Sequence, residues 1–370
     1  MIERIELQNF KCFNRQVLDI GPLTLLAGLN GSGKSSVLQS LLLLRQSQST
    51  SPDRWTLNGE LTRLGTGADI LFAQAPDETI ALRVKFSEIG ACEWVARYER
   101  SADVLTLVST PPGEPASGRE PLFSDSFNYL AAERIGPRLL NETSDESVEL
   151  RRNVGIHGEF AVHYLSRYGD EAVSSQAPVH SRATSTRLFD QVEAWMSEIS
   201  PGVRVNLTTH PRTDAVSIGF QFVQGKDVSN IYRATNVGFG LSYSVSLLVA
   251  VLAARPGSLI LVENPEAHVH PQGQVVIGQL LAEAAAGGVQ IIAETHSDHI
   301  LNGVRVAVFE RRCTAEAIRL HFFSRDIEGL SSAARVDSPR IDDRGRLDFR
   351  PSGFFDQWDK SLETLLGPQP

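Results

Sequence analysis

Two stretches of the chain carry residues whose types and spacing could act on a phosphate. The first, GLNGSGKS at 28–35, matches the pattern G-x-x-x-x-G-K-[ST]. Glycines let the backbone curl so that its amides point at phosphate oxygens, and a following helix adds the partial positive charge of its first turn. Lys34 is predicted to reach the β- and γ-phosphates, and Ser35 to hold Mg²⁺. This stretch, set between a strand-like run and a helix, predicts a nucleoside triphosphate site.

The second stretch, LVENPEAHVHP at 261–271, ends an apolar run in an acid. Glu263 would lie at the tip of a buried parallel strand, the usual place for a group that holds Mg²⁺ and its water. The next predicted strand leads to His296, which could hydrogen-bond a γ-phosphate. Upstream, NVGFGLSYS places Ser242 at a helix start, where a hydroxyl and free amides could meet a phosphate.

The elements that must position these residues indicate an α/β fold. Strand-like runs surround the phosphate loop, and a helix is predicted from about Ser35 to Arg45. Four further runs, ADILFA, TIALRVKF, CEWVARYE and DVLTLVS, predict an antiparallel β region, and a Pro- and Gly-rich loop follows at 110–121. Strands then alternate with helices after residue 240, which predicts a parallel sheet with crossover connections.

Four parts are expected along the chain. Residues 1–135 form an N-terminal lobe with the phosphate loop and the antiparallel region. Residues 136–215 form a partly irregular helical insertion. Residues 216–325 form a C-terminal lobe with Ser242, Glu263 and His296, and residues 326–370 form a C-terminal extension.

Composition bounds the class of protein. The 370 residues include 42% hydrophobic and 21% charged residues, which is ordinary for a globular chain with a sizeable core. The net charge of -9 argues against a generally basic nucleic-acid binder. No apolar run approaches the roughly 20 residues that a membrane-spanning helix needs. Without a secretory segment, and with the scattered cysteines Cys12, Cys92 and Cys313, we expect a cytoplasmic protein with free thiols and no membrane partner.

Taken in order, the phosphate loop, the Leu-Ser helix start, the acidic strand end and the histidine resemble the ATPase head of ABC-type proteins. The opening IERIELQNFKCFNRQVLDIGPLTLLAGLNGSGKSS is similar to the RecF, SMC and OLD-like group. ENPEAHVHPQGQ and ETHSDHIL resemble bacterial, defence-associated AAA ATPases. YLAAERIGPR, VGIHGE and PSGFFDQWDK are similar to a subgroup with a C-terminal region of unknown function. The resemblance implies a P-loop NTPase fold like that of ABC heads, with a mixed central sheet, an antiparallel β subdomain and a helical insertion.

The resemblance also implies roles for individual residues. ATP and Mg²⁺ are the expected cofactors, with Ser35 and Glu263 at the metal and His296 as the switch histidine. Lys11 is a further candidate nucleotide contact, and Gln74 a candidate glutamine-loop residue. Ser242 would act on the nucleotide of a second head, although the glycines here precede Leu-Ser instead of following it. The predicted phosphate-loop contacts are Gly28, Asn30, Gly31, Gly33, Lys34, Ser35 and Ser36.

Asn264 stands where such heads commonly carry the glutamate that polarises the attacking water. An amide does not accept a proton, and loss of a general base typically costs about 10²–10⁴ in rate. Three resolutions stay open: Glu266 takes the role, Asn264 orients water without abstracting its proton, or ATP is hydrolysed slowly and used as a clamp. We favour slow but real turnover with assistance from Glu266.

Other candidate sites have simpler interpretations. His268 and His270 form an H-x-H pair that could bind a metal, but no Asp or Cys partner stands at fitting spacing, and the pair falls where paired heads would touch. Asp342 and Asp343 sit in a D-R-G sequence that indicates a turn. No acidic nuclease cluster follows the last strand, so any DNA cleavage is expected from another subunit.

The sequence therefore predicts an ATPase whose nucleotide drives the pairing of heads, as a homodimer or a higher oligomer. The pairing would control a separate, nuclease-like effector in anti-phage defence or in DNA-damage sensing, a step that rests on the resemblance alone. Two alternatives stay open. One is a nucleotide-gated scaffold without turnover, and the other is a RecF-like repair clamp that grips DNA directly instead of through a partner.

Overall fold

The computed structural model describes residues 1–111, 120–210, 212–325, 333–351, 353 and 357–366. The strands, in chain order, are β1 (Ile2–Phe10), β2 (Phe13–Asp19), β3 (Leu23–Gly28), β4 (Arg54–Thr56), β5 (Thr79–Phe86), β6 (Gly90–Arg97), β7 (Val104–Ser109), β8 (Phe127–Leu130), β9 (Asn141–Glu142), β10 (Val203–His210), β11 (Ala215–Gln224), β12 (Asp227–Val228), β13 (Tyr232–Arg233), β14 (Leu259–Glu263), β15 (Gln290–Thr295), β16 (Ile318–Arg325) and β17 (Ala334–Asp337). The helices are α1 (Lys34–Thr50), α2 (Gly67–Ile70), α3 (Ala161–Tyr168), α4 (Leu188–Ile199), α5 (Phe239–Leu252), α6 (Pro271–Ala286), α7 (Asp298–Phe309) and α8 (Gln357–Leu366).

The central sheet has the strand order β17-β16-β3-β15-β14-β8. Neighbouring strands from β16 to β8 are parallel, and β17 is antiparallel to β16, so the predicted mixed sheet is confirmed. The carboxyl ends of parallel strands meet at one edge. The phosphate loop after β3 and the segments after β14, β15 and β8 therefore share the carboxyl edge of the sheet.

Two more sheets complete the molecule. An antiparallel sheet of order β2-β1-β5-β6-β7-β4 contains three of the four predicted runs, as β5, β6 and β7. The fourth run, ADILFA, is not a strand. Its start forms the short helix α2, because Thr66 and Asp69 make reciprocal capping hydrogen bonds that favour a helical turn. The third sheet consists of β10, β11 and the short strands β9, β12 and β13, which pair with β11.

Two hydrophobic clusters cross the predicted part boundaries. Leu23 and Leu25 of β3 pack with α3 to α7, whereas Leu26 packs on the other face with α1 and the antiparallel sheet. Successive side chains of a strand point to opposite faces, so one buried strand serves both clusters. The division at 135, 215 and 325 stays a prediction.

Helix ends on the carboxyl edge follow local signals in the sequence. α6 begins at Pro271, whose missing N–H costs nothing in a first turn, and the Nδ1 atom of His270 accepts from the amide of Gln272. The hydroxyl of Ser297 accepts from the amides of His299 and Ile300 at the start of α7, which is the usual role of a serine at a helix N-cap.

Some predictions concern residues outside the described ranges. Of the loop at 110–121, residues 112–119 lie outside them, as do residues 352 and 354–356 of the PSGFFDQWDK segment. Within the described part of the chain, no helix is both long enough and apolar enough to cross a membrane. The three cysteines are free thiols.

Candidate functional site

The phosphate loop leaves β3 through Gly28, whose φ of 134° belongs to a region that side chains rarely adopt. A Cβ atom at this position would lie 2.1 Å from the backbone oxygen of Phe323 on β16. Only glycine therefore lets the loop turn this close to the neighbouring strand. Gly33, with φ 108°, then serves as the N-cap of α1, and Lys34 begins the helix.

Lys34 and Ser35 are held by neutral and acidic groups at the loop. The Nζ atom of Lys34 donates to the backbone oxygens of Gly28 and Leu29, at 3.0 and 2.8 Å. The hydroxyl of Ser35 donates to Oε1 of Glu294 at 3.0 Å, and the same carboxylate lies 3.9 Å from Lys34 Nζ. The two residues predicted to hold phosphate and Mg²⁺ are thus next to an acid that the sequence analysis did not select.

Glu294 is placed there by the strand order. β15 lies between β3 and β14, and Glu294 pairs in register with Glu263. Glu263 was predicted to lie next to the phosphate loop, but the acid that contacts Ser35 belongs to the intervening strand. The sequence did carry a signal for Glu294, because it is an acid near the end of the apolar run VQIIAET. The same kind of signal was used to select Glu263.

Burial perturbs both charges. Desolvation lowers the pKa of Lys34, opposed by the carboxylates of Glu294 and Glu266. Desolvation also raises the pKa of Glu294 to about 7, with further upward contributions from Glu263 and Glu266. The hydrogen bond from Ser35 and the charge of Lys34 act in the opposite direction. A buried carboxyl whose pKa is raised to near 7, next to a buried ammonium whose pKa is lowered, is typical of functional sites.

A cleft of about 670 Å³ opens over the loop. It is lined by most of the predicted phosphate contacts and by His296, and its other wall includes Lys11, Asp69 and Ala73. The Nζ atom of Lys11 donates to Gln39 Oε1 at 2.6 Å, and burial lowers the pKa of Lys11. Lys11 therefore faces the same cleft as Lys34, whereas Gln74 is exposed and does not line it. The predicted loop residues among the lining are Asn30, Gly31, Gly33, Lys34, Ser35 and Ser36.

Glu263 is engaged on the far side of β14. Its carboxylate oxygens accept from the hydroxyl of Tyr129 at 3.0 Å and from the amide of Ala132 at 3.2 Å. Asn264 adopts φ 45°, and its buried Oδ1 atom has no hydrogen-bond partner within the described ranges. Arg134 donates to the backbone oxygens of both residues, at 2.5 and 2.7 Å. A buried arginine that the sequence analysis missed thus fixes the turn after the acid.

Glu266 forms hydrogen bonds with residues at the end of β15. Its carboxylate accepts from the Thr295 hydroxyl at 2.8 Å and from the His296 amide at 2.7 Å. The His296 ring lies 4.0 Å from Glu294, and desolvation and the charge of Lys34 lower its pKa. The turn after β14 therefore determines where the predicted switch histidine stands.

Ser242 lies apart from the cleft. It is within the first turns of α5, on the carboxyl edge, but its Oγ atom is buried and finds no hydrogen-bond partner in the described part of the chain. The exposed part of the helix start is Gly238 and Phe239, and Phe239 is 54% exposed. First-turn amides have no acceptor within a helix. The surface available to a phosphate here is the backbone of this first turn, while the Ser242 role stays a prediction.

The H-x-H pair is used for packing and capping. The His268 ring packs edge-on against Tyr243, with ring centres 4.9 Å apart, and also contacts Phe239. His270 caps α6. No group of three or more His, Cys, Asp or Glu side chains that could hold a metal ion occurs in the described residues, and Asp342 accepts from the amides of Arg344 and Arg346 as a turn residue does.

Together, the strand order and the loop define the class of a P-loop ATPase head. Three family models match the chain. An AAA ATPase domain matches residues 1–157, an AAA domain described as a putative AbiEii toxin of a type IV TA system matches residues 126–302, and a protein region of unknown function, DUF3696, matches residues 313–365. The chain is therefore an ATPase whose head resembles those of ABC, SMC and OLD-like proteins, and it has a DUF3696 region toward its C-terminus.

Similar proteins agree with this class. An OLD nuclease of Thermus scotoductus is 24% identical over 96% of this chain and 68% of its own length. An Smc head bound to the C-winged helix domain of ScpA has a TM-score of 0.52 at 15% identity, over 92% of this chain and 98% of its own. An Smc head with an extended coiled coil from Pyrococcus furiosus, bound to the C-terminal domain of ScpA, has a TM-score of 0.52 at 13% identity, over 99% of both chains. These two structures support the fold.

Proposed function

We propose that MgATP in the phosphate-loop cleft of one chain drives its pairing with a second copy, and that the paired state controls a separate effector. One observation carries the proposal. The start of α5 lies on the same edge of the sheet as the phosphate loop, but none of its residues lines the cleft of its own chain. A second copy could supply these first-turn amides to the nucleotide.

Exposed apolar residues support a partner at this edge. Leu29 at the tip of the phosphate loop is 50% exposed and Phe239 is 54% exposed. Each is a large side chain that faces solvent beside a proposed phosphate contact. Burying them against a second chain would add apolar contact to the shared nucleotide, so that nucleotide state would bias assembly.

The oxygen ligands beside the phosphate loop fit Mg²⁺. Ser35 Oγ and Glu294 Oε1 are 3.0 Å apart, and the buried Glu294 Oε2 atom accepts no hydrogen bond from any described residue. Mg²⁺ prefers such oxygens together with phosphate and water. Ser35 would hold the ion, with Glu263 and Glu294 acting through water, and the ion would neutralise charge on the phosphates. Lys34 would exchange its two carbonyl acceptors for phosphate oxygens.

Turnover is expected to be slow. Asn264 cannot accept a proton, and both oxygens of Glu266 already accept hydrogen bonds, from Thr295 at the end of β15 and from His296 just after it. Catalysis would then depend mainly on positioning, which suits the loose transition state of phosphoryl transfer. Glu266 would therefore assist turnover by positioning Thr295 and His296.

The effector and the biological setting rest on the relatives. The AbiEii description and the OLD nuclease relative support a role in anti-phage defence or in DNA-damage sensing. Because the OLD relative is a nuclease, we propose that the effector is a nuclease-like partner subunit. Direct DNA binding is the weaker alternative for a chain of net charge -9.

Molar mass in solution with and without MgATP tests the proposal. We expect the wild type to double its mass with MgATP, and Lys34→Ala to bind ATP at least about 100-fold more weakly, because a charge-assisted phosphate contact is lost. Lys85→Ala, which removes an exposed lysine paired with Glu3, is the matched control. A wild type that binds ATP at unchanged monomer mass would refute pairing. Salt-dependent DNA binding by the isolated chain would favour the clamp.

A further inference from the structure

Arg134, in the loop after β8, is a buried arginine without a carboxylate partner. It is 4% exposed, and within the described residues no acidic oxygen lies within salt-bridge distance of its guanidinium. Its buried Nη1 atom has no hydrogen-bond partner among the residues that the structure describes. Burial lowers the pKa of Arg134 to about 10, opposed mainly by the charge of Glu266. Such a costly placement calls for a reason other than stability.

One side of the guanidinium holds the turn that carries the acid. Nη2 donates to the backbone oxygens of Glu263 and Asn264. Asn264 and His268 both have positive φ angles, 45° and 61°, so this turn contains two strained residues. A planar guanidinium that bridges two successive carbonyls fixes the peptide between them, and with it the direction of the Glu263 and Asn264 side chains.

The other side of the guanidinium faces α5. Its central carbon lies 5.6 Å from the centre of the Tyr243 ring, within range of a cation–π contact. Tyr243 packs on His268, and Phe239 contacts both rings, at 6.5 and 5.5 Å between centres. An unbroken set of contacts therefore leads from the exposed Phe239 ring to the carbonyls of Glu263 and Asn264.

We propose that Arg134 is a positioning residue that couples the partner-facing start of α5 to the turn after β14, so that hydrolysis is faster in paired heads than in single ones. The inference rests on the proposed pairing. A second copy that covers Phe239 would shift or restrain the aromatic set, and Arg134 would pass that change to the peptide of Glu263 and Asn264. This is a physical connection through packed groups, and coupling measurements are needed to test it.

The chain offers a matched control at the opposite end of β8. Arg45 of α1 is also largely buried, its pKa is lowered to about 10, and it lies 4.2 Å from the centre of the Phe127 ring. It donates to the backbone oxygens of Leu122 and Ser124, at 2.6 and 2.9 Å. Each of the two arginines thus has a ring contact and two carbonyl acceptors, but of the two it is Arg134 that contacts the turn after β14.

The experiment measures hydrolysis per chain and molar mass across a range of full-length protein concentrations that spans pairing. For wild type and Arg45→Lys, the rate should rise as pairs form. Arg134→Lys should bind ATP within about threefold of wild type and still pair, but its rate in the paired state should be about 10- to 100-fold lower, the scale of a misplaced reacting group. A lysine ammonium can donate to carbonyls, but it lacks the planar guanidinium that holds both carbonyls in a fixed geometry while it faces the ring.

Tyr243 keeps the proposal testable if Arg134→Lys does not fold. Tyr243→Leu should lower the paired rate in the same direction but less, since the carbonyl hydrogen bonds of Arg134 remain, and Tyr243→Phe should restore it by keeping the ring. The inference is overturned if the hydrolysis rate of Arg134→Lys or of Tyr243→Leu rises with pairing as much as the wild-type rate does. It is also overturned if Arg45→Lys loses as much rate as Arg134→Lys. A wild type that never pairs would instead remove the proposed function on which the inference rests.

Discussion

The two edges of the central sheet treat buried polar groups differently. At the amino edge, the side chain of Gln290 makes three hydrogen bonds, with the amide and oxygen of Ile2 and the oxygen of Gly21. At the carboxyl edge, four buried side-chain atoms in the described residues have no partner. They are Arg134 Nη1, Ser242 Oγ, Asn264 Oδ1 and Glu294 Oε2.

Buried polar groups normally have partners, so a cluster of unsatisfied ones indicates where other groups bind. The amino edge is not wholly satisfied, since Asn128 Oδ1 and Glu120 Oε1, whose carboxylate contacts the amino group of Met1, also lack partners among the described residues. The carboxyl edge adds a buried carboxyl with a raised pKa and two residues in left-handed backbone conformations. We infer that the amino edge stabilises the chain, whereas the carboxyl edge gives up stability for a site that nucleotide and partner complete.

Gln290→Ala should have the largest effect on stability. It removes three buried hydrogen bonds and leaves backbone groups of Ile2 and Gly21 unpaired, so the free energy of unfolding should fall by about 3 kcal/mol. ATP affinity should stay unchanged. Denaturant unfolding and a nucleotide titration check both, with the exposed Gln224→Ala as control. An unchanged unfolding midpoint would show that the amino edge is less important for stability than its hydrogen bonds indicate.

Glu294→Gln should stabilise the nucleotide-free chain at alkaline pH. The carboxyl pKa is about 7 in the fold, above its ordinary 4.5, so the fold favours the protonated form. The stabilising contribution of Glu294 is therefore present below pH 4.5 and is lost as the pH rises through 7. An uncharged amide removes this loss, so the variant should gain on the order of 2 kcal/mol at pH 8 and little at pH 4.

Unfolding in EDTA at both pH values measures the effect and keeps Mg²⁺ out of the comparison. Equal stability changes at pH 4 and pH 8 would contradict a raised pKa at Glu294. The carboxyl edge would then carry less electrostatic strain than we infer.

Phe239→Ala should change stability least, by less than about 1 kcal/mol, because the side chain is largely exposed. ATP-dependent pairing should weaken by about tenfold, since a large apolar contact is lost from the proposed interface. Phe309→Ala at the far end of α7, where the phenylalanine is 66% exposed, is the control. Sedimentation at several concentrations with MgATP measures pairing. Equal weakening by both variants would remove the distinction between the edges.

The local signals in the sequence were strong where a short segment determines its own structure. The spacing of Gly28, Gly33 and Lys34, the Pro271 helix start and the Ser297 cap all depend on neighbours within a few residues. The strand predicted for ADILFA was wrong, because the capping interaction between Thr66 and Asp69 favours a helical turn there. The apolar run itself fits a strand equally well.

The sequence by itself determined the class of the protein, the phosphate loop and the acids available to it, because backbone conformation and strand periodicity are local properties. Only the tertiary structure decided which acid meets Ser35, since the position of β15 between β3 and β14 depends on how distant strands pair. It alone also brought Arg134, Tyr243 and the turn after Glu263 together. Those residues are far apart in the chain, and their contacts follow from the crossover connections of a parallel sheet, which no short segment encodes.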